Sequence, residues 1–308
     1  MRVTMGADSK PATPQDASAG IISTLIAGSV SGALADVATH PISTVKTRMQ
    51  VQGAAKVMKN GLDSMTVYRN PFHAARMMLV NEGVASFYVG LGAVLASAAP
   101  AQALYFAGLE TFKVVLPAHP ASSFVAGVGA QLCGSVAWVP MDVIKERLQV
   151  QGAFKGDALS ARYSGSAGAL RAILKTEGVA GLYRAYWIHQ MTWCPFNGLY
   201  FMIYDSSKAA IQSRGMSKQW ESACAPLAGV VASFATNPMD LVKTRLQVAA
   251  SNPALFDYTS SSDALVKIVR REGAAALMDG ALSRVLLLTP RLSIAVLSYE
   301  YVKGAWEA

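Results

Sequence analysis

Residues 41–50 read PISTVKTRMQ, and two close copies follow at 140–149 (PMDVIKERLQ) and 238–247 (PMDLVKTRLQ). All three copies keep a proline, a lysine, an arginine and a glutamine at the same spacings. The second and third copies also have an aspartate two residues after the proline, which the first copy lacks. A motif that returns three times at near-constant intervals predicts a chain built from three structural repeats.

Three other markers recur in step with this motif: a Glu-Gly pair, a second proline, and an acid followed three residues later by a lysine. They are Glu82-Gly83, Glu177-Gly178 and Glu272-Gly273; Pro100, Pro195 and Pro290; and Glu110/Lys113, Asp205/Lys208 and Glu300/Lys303. We therefore expect one domain made of three repeats, preceded by a flexible tail. Their bounds are 1–19 for the tail and 20–116, 117–215 and 216–308 for the repeats.

The composition indicates a membrane protein. Apolar residues make up 52% of the chain and charged residues 15%, whereas soluble proteins average about 25% charged residues. Five segments contain no Asp, Glu, Lys or Arg: 17–35, 83–109, 114–141, 185–204 and 222–239. Each is near or above the roughly 20 residues of a membrane-spanning helix. With three repeats, this predicts an all-α membrane protein of six transmembrane helices around a pseudo-threefold axis, each pair separated by a short amphipathic helix; a soluble protein with unusually apolar helices is the alternative.

The net charge of +8 raises the question of which anionic partner the protein contacts. The basic residues gather beside the apolar segments and form no stripe interleaved with stacking aromatics, which argues against nucleic acid and favours anionic lipid headgroups. The three cysteines have neither a disulfide framework nor zinc-ligand spacing. No Gly-rich phosphate loop or nucleophile elbow is present. We therefore predict no enzyme activity, no metal site and no cofactor.

The tripled P-x-[D/E]-x-x-[K/R] motif, followed by Glu-Gly and later by [F/Y]-[D/E]-x-x-[K/R], resembles the mitochondrial carrier family over about residues 20–304. The resemblance implies a monomeric multi-pass protein of the mitochondrial inner membrane, with its short helices on the matrix side. It also implies a small-molecule substrate moved by alternating access, as an antiporter, and cardiolipin bound at helix N-termini. Leu109, the lost glycine at Ala185 and the lost aromatics near Met278 depart from the family pattern.

In that family the first motif supplies a ring of salt bridges that closes the matrix side. Here the resemblance implies the pairs Asp142–Lys243 and Asp240–Lys46, while Lys145 should face residue 43, where Ser43 has no charge. A partly wet ion pair is worth about 0–1 kcal/mol, so we expect a matrix gate that opens more readily than the cytoplasmic one. The alternative is compensation, by Ser43 hydrogen-bonding Lys145 or by Glu146.

The second set of charges would close the cytoplasmic side, and in this sequence it is complete. The implied pairs are Glu110–Lys208, Asp205–Lys303 and Glu300–Lys113.

The resemblance implies that substrate is recognised just before the second proline of each repeat, where this chain has Ser97, Thr192, Trp193 and Leu287. Because none is charged, nucleotides, phosphates and dicarboxylates are disfavoured, and a small substrate of low net charge with an apolar part fits better. The stretch 191–195 (MTWCP) resembles branched-chain amino acid carriers. The stretches 99–106 and 183–186 resemble the iron carriers, the mitoferrins.

Three charged residues fall within the apolar segments or beside Leu287, and intramembrane charges point to function by default. Arg284 and Arg291 lie one turn either side of Leu287, on one helix face. With Asp36 they would suit the carboxylate and ammonium groups of a zwitterionic amino acid; a static Asp36–Arg284 bridge is the alternative. His189, Gln190 and Gln102 are predicted to make helix–helix hydrogen bonds.

These patterns predict an alternating-access transporter of a neutral or zwitterionic, branched-chain amino acid in the mitochondrial inner membrane. An iron or other divalent-metal carrier is the first alternative. A carrier-like scaffold without transport is the second, although its gate charges would be expected to decay at more positions than one.

Overall fold

The computed structural model describes residues 14–57, 68–116, 120–151, 163–215, 218–250 and 256–307, and these ranges contain helices and no strand. Six helices are long and four are short, with single 3-10 turns at Val84–Tyr88 and Ala274–Met278. The long helices are α1 (Pro14–Val57), α3 (Leu91–Val115), α4 (Pro120–Gln151), α7 (Tyr186–Ser213), α8 (Lys218–Ala249) and α10 (Ala281–Glu307). The short helices are α2 (Pro71–Glu82), α5 (Ser166–Thr176), α6 (Gly178–Tyr183) and α9 (Ser261–Glu272).

The predicted tail overlaps the first helix, because α1 begins at Pro14. The rest of the predicted tail, residues 1–13, lies outside the described residues.

The six long helices form a closed ring. Helix α1 packs against α3 and α10, helix α4 against α3 and α7, and helix α8 against α7 and α10. The most extensive of these contacts, α3 with α4, α7 with α8 and α10 with α1, join neighbouring repeats. The repeats are therefore held together by lateral helix pairs, and the ring leaves a cavity at its centre.

Each long helix contains a repeat proline in its interior. Proline has no N–H and its ring crowds the carbonyl one turn earlier, so each one interrupts the helix hydrogen-bond ladder. The repeat prolines are Pro41, Pro100, Pro140, Pro195, Pro238 and Pro290.

Two helical stretches among the described residues, Val84–Phe112 and Val125–Gln151, are long and apolar enough to cross a bilayer by length and composition. The ring of six long helices matches the repeat pattern. That all six cross a membrane stays a prediction.

Three of the short helices, α2, α5 and α9, pack on the first helix of their own repeat. In α2, Ala74 and Met78 are buried against Val45 and Met49 of α1. Helix α5 packs in the same way on α4, and α9 on α8. The Asn70 side chain caps α2 by accepting from the His73 amide at 2.8 Å. The short helices are thus fixed to the helices that carry the tripled motif.

Gly90, before α3, is a position where the backbone requires glycine. Its φ is +86°, and an added Cβ would lie 3.2 Å from the Lys145 backbone of α4. Gly215, with φ +63°, has no atom within 4 Å of such a Cβ, so Gly215→Ala carries only the left-handed strain of about 1–2 kcal/mol. We expect Gly90→Ala to lower the thermal unfolding midpoint several degrees further than Gly215→Ala, since it also separates α3 from α4. Equal midpoints would contradict this close approach.

Candidate functional site

The tripled motif forms a ring of buried charges at one end of the helix barrel. The Lys46 Nζ lies 2.7 Å from Asp240 Oδ2, and the Lys243 Nζ lies 2.6 Å from Asp142 Oδ2. Each of these four side chains is at most 8% exposed. The structure therefore contains both inter-repeat pairs that the resemblance implies, in a closed and nearly dry arrangement.

The third lysine of the ring is paired differently. The Lys145 Nζ lies 3.1 Å from Asp142 Oδ1 and 3.3 Å from Glu146 Oε1, both on its own helix. Among the described residues, no hydrogen bond or ion pair joins Lys145 to Ser43. The Glu146 alternative thus matches the geometry, and the seam between the first two repeats has no ion pair within this ring.

The glutamines of the motif donate hydrogen bonds within the ring, and the contact between the first two repeats again differs from the other two. The Gln50 amide donates to Asp240 Oδ2 at 2.8 Å, and the Gln247 amide donates to Asp142 Oδ2 at 3.0 Å. The Gln149 amide has no acid to reach and donates to Thr44 Oγ1 at 3.0 Å.

A second ring lies next to the first and was missed in the sequence. The arginine of each motif forms a two-pronged ion pair with the glutamate of its own Glu-Gly pair, and its Nε donates to the glutamine carbonyl of the next repeat. The pairs are Arg48–Glu82, Arg147–Glu177 and Arg245–Glu272, and the Nε bonds reach Gln149, Gln247 and Gln50 at 3.0, 3.0 and 2.8 Å. The sequence did contain a signal for this second ring, because the motif arginine and the glutamate of the Glu-Gly pair both recur in every repeat.

A cavity of about 250 Å³ lies inside the helix ring. Its polar lining includes Asp36, Gln102, Gln131 and Arg291, and its aromatic lining includes Tyr105, Trp138 and Trp193. His189 also lines it, and the His189 Nδ1 lies 3.8 Å from Asp142 Oδ2. The floor of the cavity is therefore adjacent to the charge ring.

Asp36 is paired with Arg291, whose Nε donates to Asp36 Oδ1 at 2.6 Å. The static Asp36–Arg284 bridge considered from the sequence is wrong. Arg284 instead lies 3.6 Å from Asp240 Oδ2 and donates to the Ser233 carbonyl at 3.1 Å. Seven residues along a helix span about 10 Å, so the two arginines share a face at different depths: Arg291 at the cavity and Arg284 at the charge ring.

The structure divides the four residues that precede the second prolines. Trp193 lines the main cavity, while Ser97 and Leu287 line a smaller second cavity below it. Thr192 lines neither cavity: it is fully buried, and its hydroxyl donates to the Ile188 carbonyl of its own helix at 2.8 Å. Arg284 also lines neither cavity, and substrate contact by Thr192 and Arg284 stays a prediction.

At the other end of the barrel, the described charges are more exposed. Glu110 and Asp205 are exposed and Lys208 is half-buried, with its Nζ 5.8 Å from the centre of the Tyr204 ring. The side chains of Lys113, Glu300 and Lys303 lie outside the described residues. The pairing of this second set of charges stays a prediction.

Known proteins resemble this chain over most of its length. The family described as "Mitochondrial carrier protein" matches three times, at residues 17–120, 117–215 and 219–307. A "Mitochondrial substrate carrier family protein E" of Dictyostelium discoideum is 34% identical, over 91% of this chain and 94% of its own length. The "Succinate/fumarate mitochondrial transporter" of Saccharomyces cerevisiae is 30% identical, over 91% and 89%. The "Mitochondrial glycine transporter A" of Danio rerio is 29% identical, over 91% and 93%.

Proposed function

The chain belongs to the mitochondrial carrier family, whose members transport small molecules, and from this premise we propose that it carries a neutral or zwitterionic amino acid by alternating access. The named relatives carry different substrates, a dicarboxylate in one case and glycine in another. The substrate therefore has to be argued from the cavity of this chain.

The ion pair between Asp36 and Arg291 in the cavity wall carries the proposal. An amino acid bears one carboxylate and one ammonium group, and these two side chains offer one partner for each. Their side chains are 11% and 28% exposed, so both heads are partly accessible from the cavity. A dicarboxylate would place its second negative charge beside Asp36, at a cost that rises in a site of low dielectric. Trp193 and Trp138 provide apolar surface for a branched side chain.

The closed charge ring supports an alternating-access cycle. Lys46, Lys243 and their two aspartates form nearly dry ion pairs next to the cavity floor, as expected of a closed gate at one face of the barrel. By family orientation that face is the matrix side, so this state would receive substrate from the cytoplasmic side. The second set of charges, from Glu110 to Lys303, would close over the substrate as the first ring opens, so that the cavity is never open to both sides together.

The metal-carrier alternative has weaker support from the geometry. Divalent cations of this kind favour several oxygen or nitrogen ligands. Asp36 is the one carboxylate among the described residues that line the main cavity, and it already forms an ion pair with the Arg291 guanidinium. Among the described residues, no three His, Cys, Asp or Glu side chains are grouped as metal ligands.

The family and the named relatives point to the mitochondrial inner membrane. One chain closes the helix ring by itself, which supports a monomer. We place cardiolipin at helix N-termini, among them those of α3, α7 and α10, where backbone N–H groups suit a phosphate. Gly90 and Gly280 keep a positive φ there, whereas Ala185 has φ −104°, so we expect the weakest lipid contact in the second repeat.

Uptake into liposomes containing the purified protein tests the proposal. Labelled leucine and valine would be compared with ferrous iron and manganese, with and without unlabelled leucine inside. We expect saturable leucine uptake that internal leucine accelerates, as an antiporter requires. Uptake of metal alone would overturn the proposal in favour of a metal carrier, and the absence of any uptake would favour a scaffold.

Trp193→Ala is expected to reduce leucine uptake about ten-fold or more, because burying a large apolar side chain is worth about 1.5–3 kcal/mol. Trp193 lines the cavity, with its ring 5.5 Å from that of Phe196. Trp187, on the same helix, is 71% exposed on the outside of the barrel and is the matched control. If Trp187→Ala reduces uptake equally, the loss does not come from the cavity.

A further inference from the structure

A second cavity of about 60 Å³ lies between the main cavity and the charge ring. It shares Asp36, Trp138 and Arg291 with the main cavity, and its other lining residues include Ser43 and Lys145. A cavity needs about 10–15 Å³ to hold one water molecule, so this space can hold the few heavy atoms of a carboxylate and its neighbouring carbon. The second cavity thus joins the Asp36–Arg291 pair to the position that lacks an acid.

The second cavity exists where the repeats differ. In the other two repeats the equivalent residues are aspartates. Each aspartate forms an ion pair with a lysine and accepts a hydrogen bond from a glutamine, both from a neighbouring repeat. Serine has a hydroxyl where aspartate has a carboxylate, and Ser43 is half-buried at the edge of the open space. The gap therefore has about the size and position of a missing carboxyl group.

Lys145 leaves donor capacity for this gap. A lysine ammonium has three N–H donors, and the two acids near the Lys145 Nζ, at 3.1 and 3.3 Å, account for two. Its side chain is 14% exposed, the highest among the three motif lysines, and it lines the second cavity. One donor can therefore be offered to a third acceptor.

The charge balance of the ring also favours an anion. Four cations, the buried Lys46, Lys243 and Arg284 and the mostly enclosed Lys145, are connected to three acids, Asp142, Glu146 and Asp240. An uncompensated buried cation is costly, and an added carboxylate would offset it. An aspartate at position 43 would supply that charge permanently, whereas serine leaves it to a ligand.

We infer that the carboxylate of the substrate binds in the second cavity, between Ser43 and Lys145, in the place of the absent aspartate. This inference rests on the proposed function and adds a subsite to it. The ammonium group contacts Asp36, Arg291 contacts the carboxylate from the other side, and the side chain extends into the main cavity. The bound substrate then links the first two repeats and draws Lys145 from Asp142, which couples occupancy to the gate.

Cysteine labelling tests the subsite without any transport assay. Ser43→Cys would be made after Cys133, Cys194 and Cys224 are replaced by serine, and treated with anionic and cationic methanethiosulfonates of similar size. We expect the anionic reagent to react about ten-fold faster, since nearby cations raise local anion concentration. Lys145→Gln should abolish this preference. Ala98→Cys, in the main cavity, is the matched control, whose charge preference Lys145→Gln should leave unchanged.

Protection by leucine fragments completes the test. The deaminated analogue 4-methylpentanoate should slow labelling of the cysteine at position 43, whereas 3-methylbutylamine, which lacks the carboxylate, should not. The inference is overturned if the cationic reagent reacts equally fast, if neither reagent reacts, or if 4-methylpentanoate gives no protection. If the charge preference and protection hold but wild-type protein takes up no leucine, the anion subsite stands and the proposed substrate fails.

Discussion

Replacing Arg245 by alanine is expected to lower the thermal unfolding midpoint of the detergent-solubilised protein by about 6–10 °C. Arg245 is 0% exposed and its partner Glu272 is 7% exposed. The change leaves the Glu272 carboxylate buried without its cation and removes the bond from Arg245 to the Gln50 carbonyl at 2.8 Å. Breaking a buried ion pair in this way costs about 3–5 kcal/mol.

Arg271 provides the matched control in the same repeat. It also forms a two-pronged ion pair, with Asp257, but the two side chains are 48% and 52% exposed. Exposed pairs contribute about 0–1 kcal/mol, so Arg271→Ala should shift the midpoint by no more than about 2 °C. Similar shifts in both variants, measured by scanning fluorimetry, would contradict the structural role of the second ring.

The loss of stability on replacing the motif arginine by alanine should increase with the burial of its glutamate partner in the three repeats. The glutamate partners are 26% exposed for Glu82, 21% for Glu177 and 7% for Glu272. The corresponding alanine variants should therefore be destabilised least at Arg48 and most at Arg245, because solvent screens the more exposed carboxylates.

The parts of this structure that sequence could predict are those that repeat. The positions of the tripled motif predict three equivalent units, and the pairs Asp142–Lys243 and Asp240–Lys46 follow from the family resemblance. The departures from symmetry could not be predicted in the same way. Lys145 had two rival partners, and Glu146 was one of them. The side-chain rotamers of Lys145 and of the two acids on its own helix bring both acids within reach, and a sequence pattern does not determine rotamers.

The sequence also does not determine how deep in the barrel a residue lies. Arg284 and Arg291 share a helix face, so spacing alone allowed either one to meet Asp36. The register of α10 against α1 places Arg291 beside Asp36 and Arg284 beside Asp240. Thr192 is turned away from both cavities for a local reason, since its hydroxyl donates to a carbonyl of its own helix. Helix register and side-chain rotamers are three-dimensional properties that a one-dimensional pattern does not determine.

Neutralising Asp36 or Arg291 is expected to reduce leucine uptake about 10- to 100-fold, because a hydrogen bond to a charged group contributes about 1.5–3 kcal/mol. Each single variant, Asp36→Asn or Arg291→Gln, also leaves the other charge without its partner at 2.6 Å. Low uptake in a single variant therefore does not distinguish a substrate contact from a static bridge.

The double variant makes that distinction. If the pair is only a bridge, Asp36→Asn with Arg291→Gln removes both charges together and should restore uptake along with thermal stability. If the pair binds substrate, stability recovers but leucine uptake stays at its lowest, since neither end of the zwitterion has a partner. Asp263→Asn with Lys267→Gln, which removes a half-exposed ion pair of α9, should leave uptake unchanged. Competition then assigns the ends: Asp36→Asn should retain inhibition by 4-methylpentanoate, and Arg291→Gln should retain inhibition by 3-methylbutylamine.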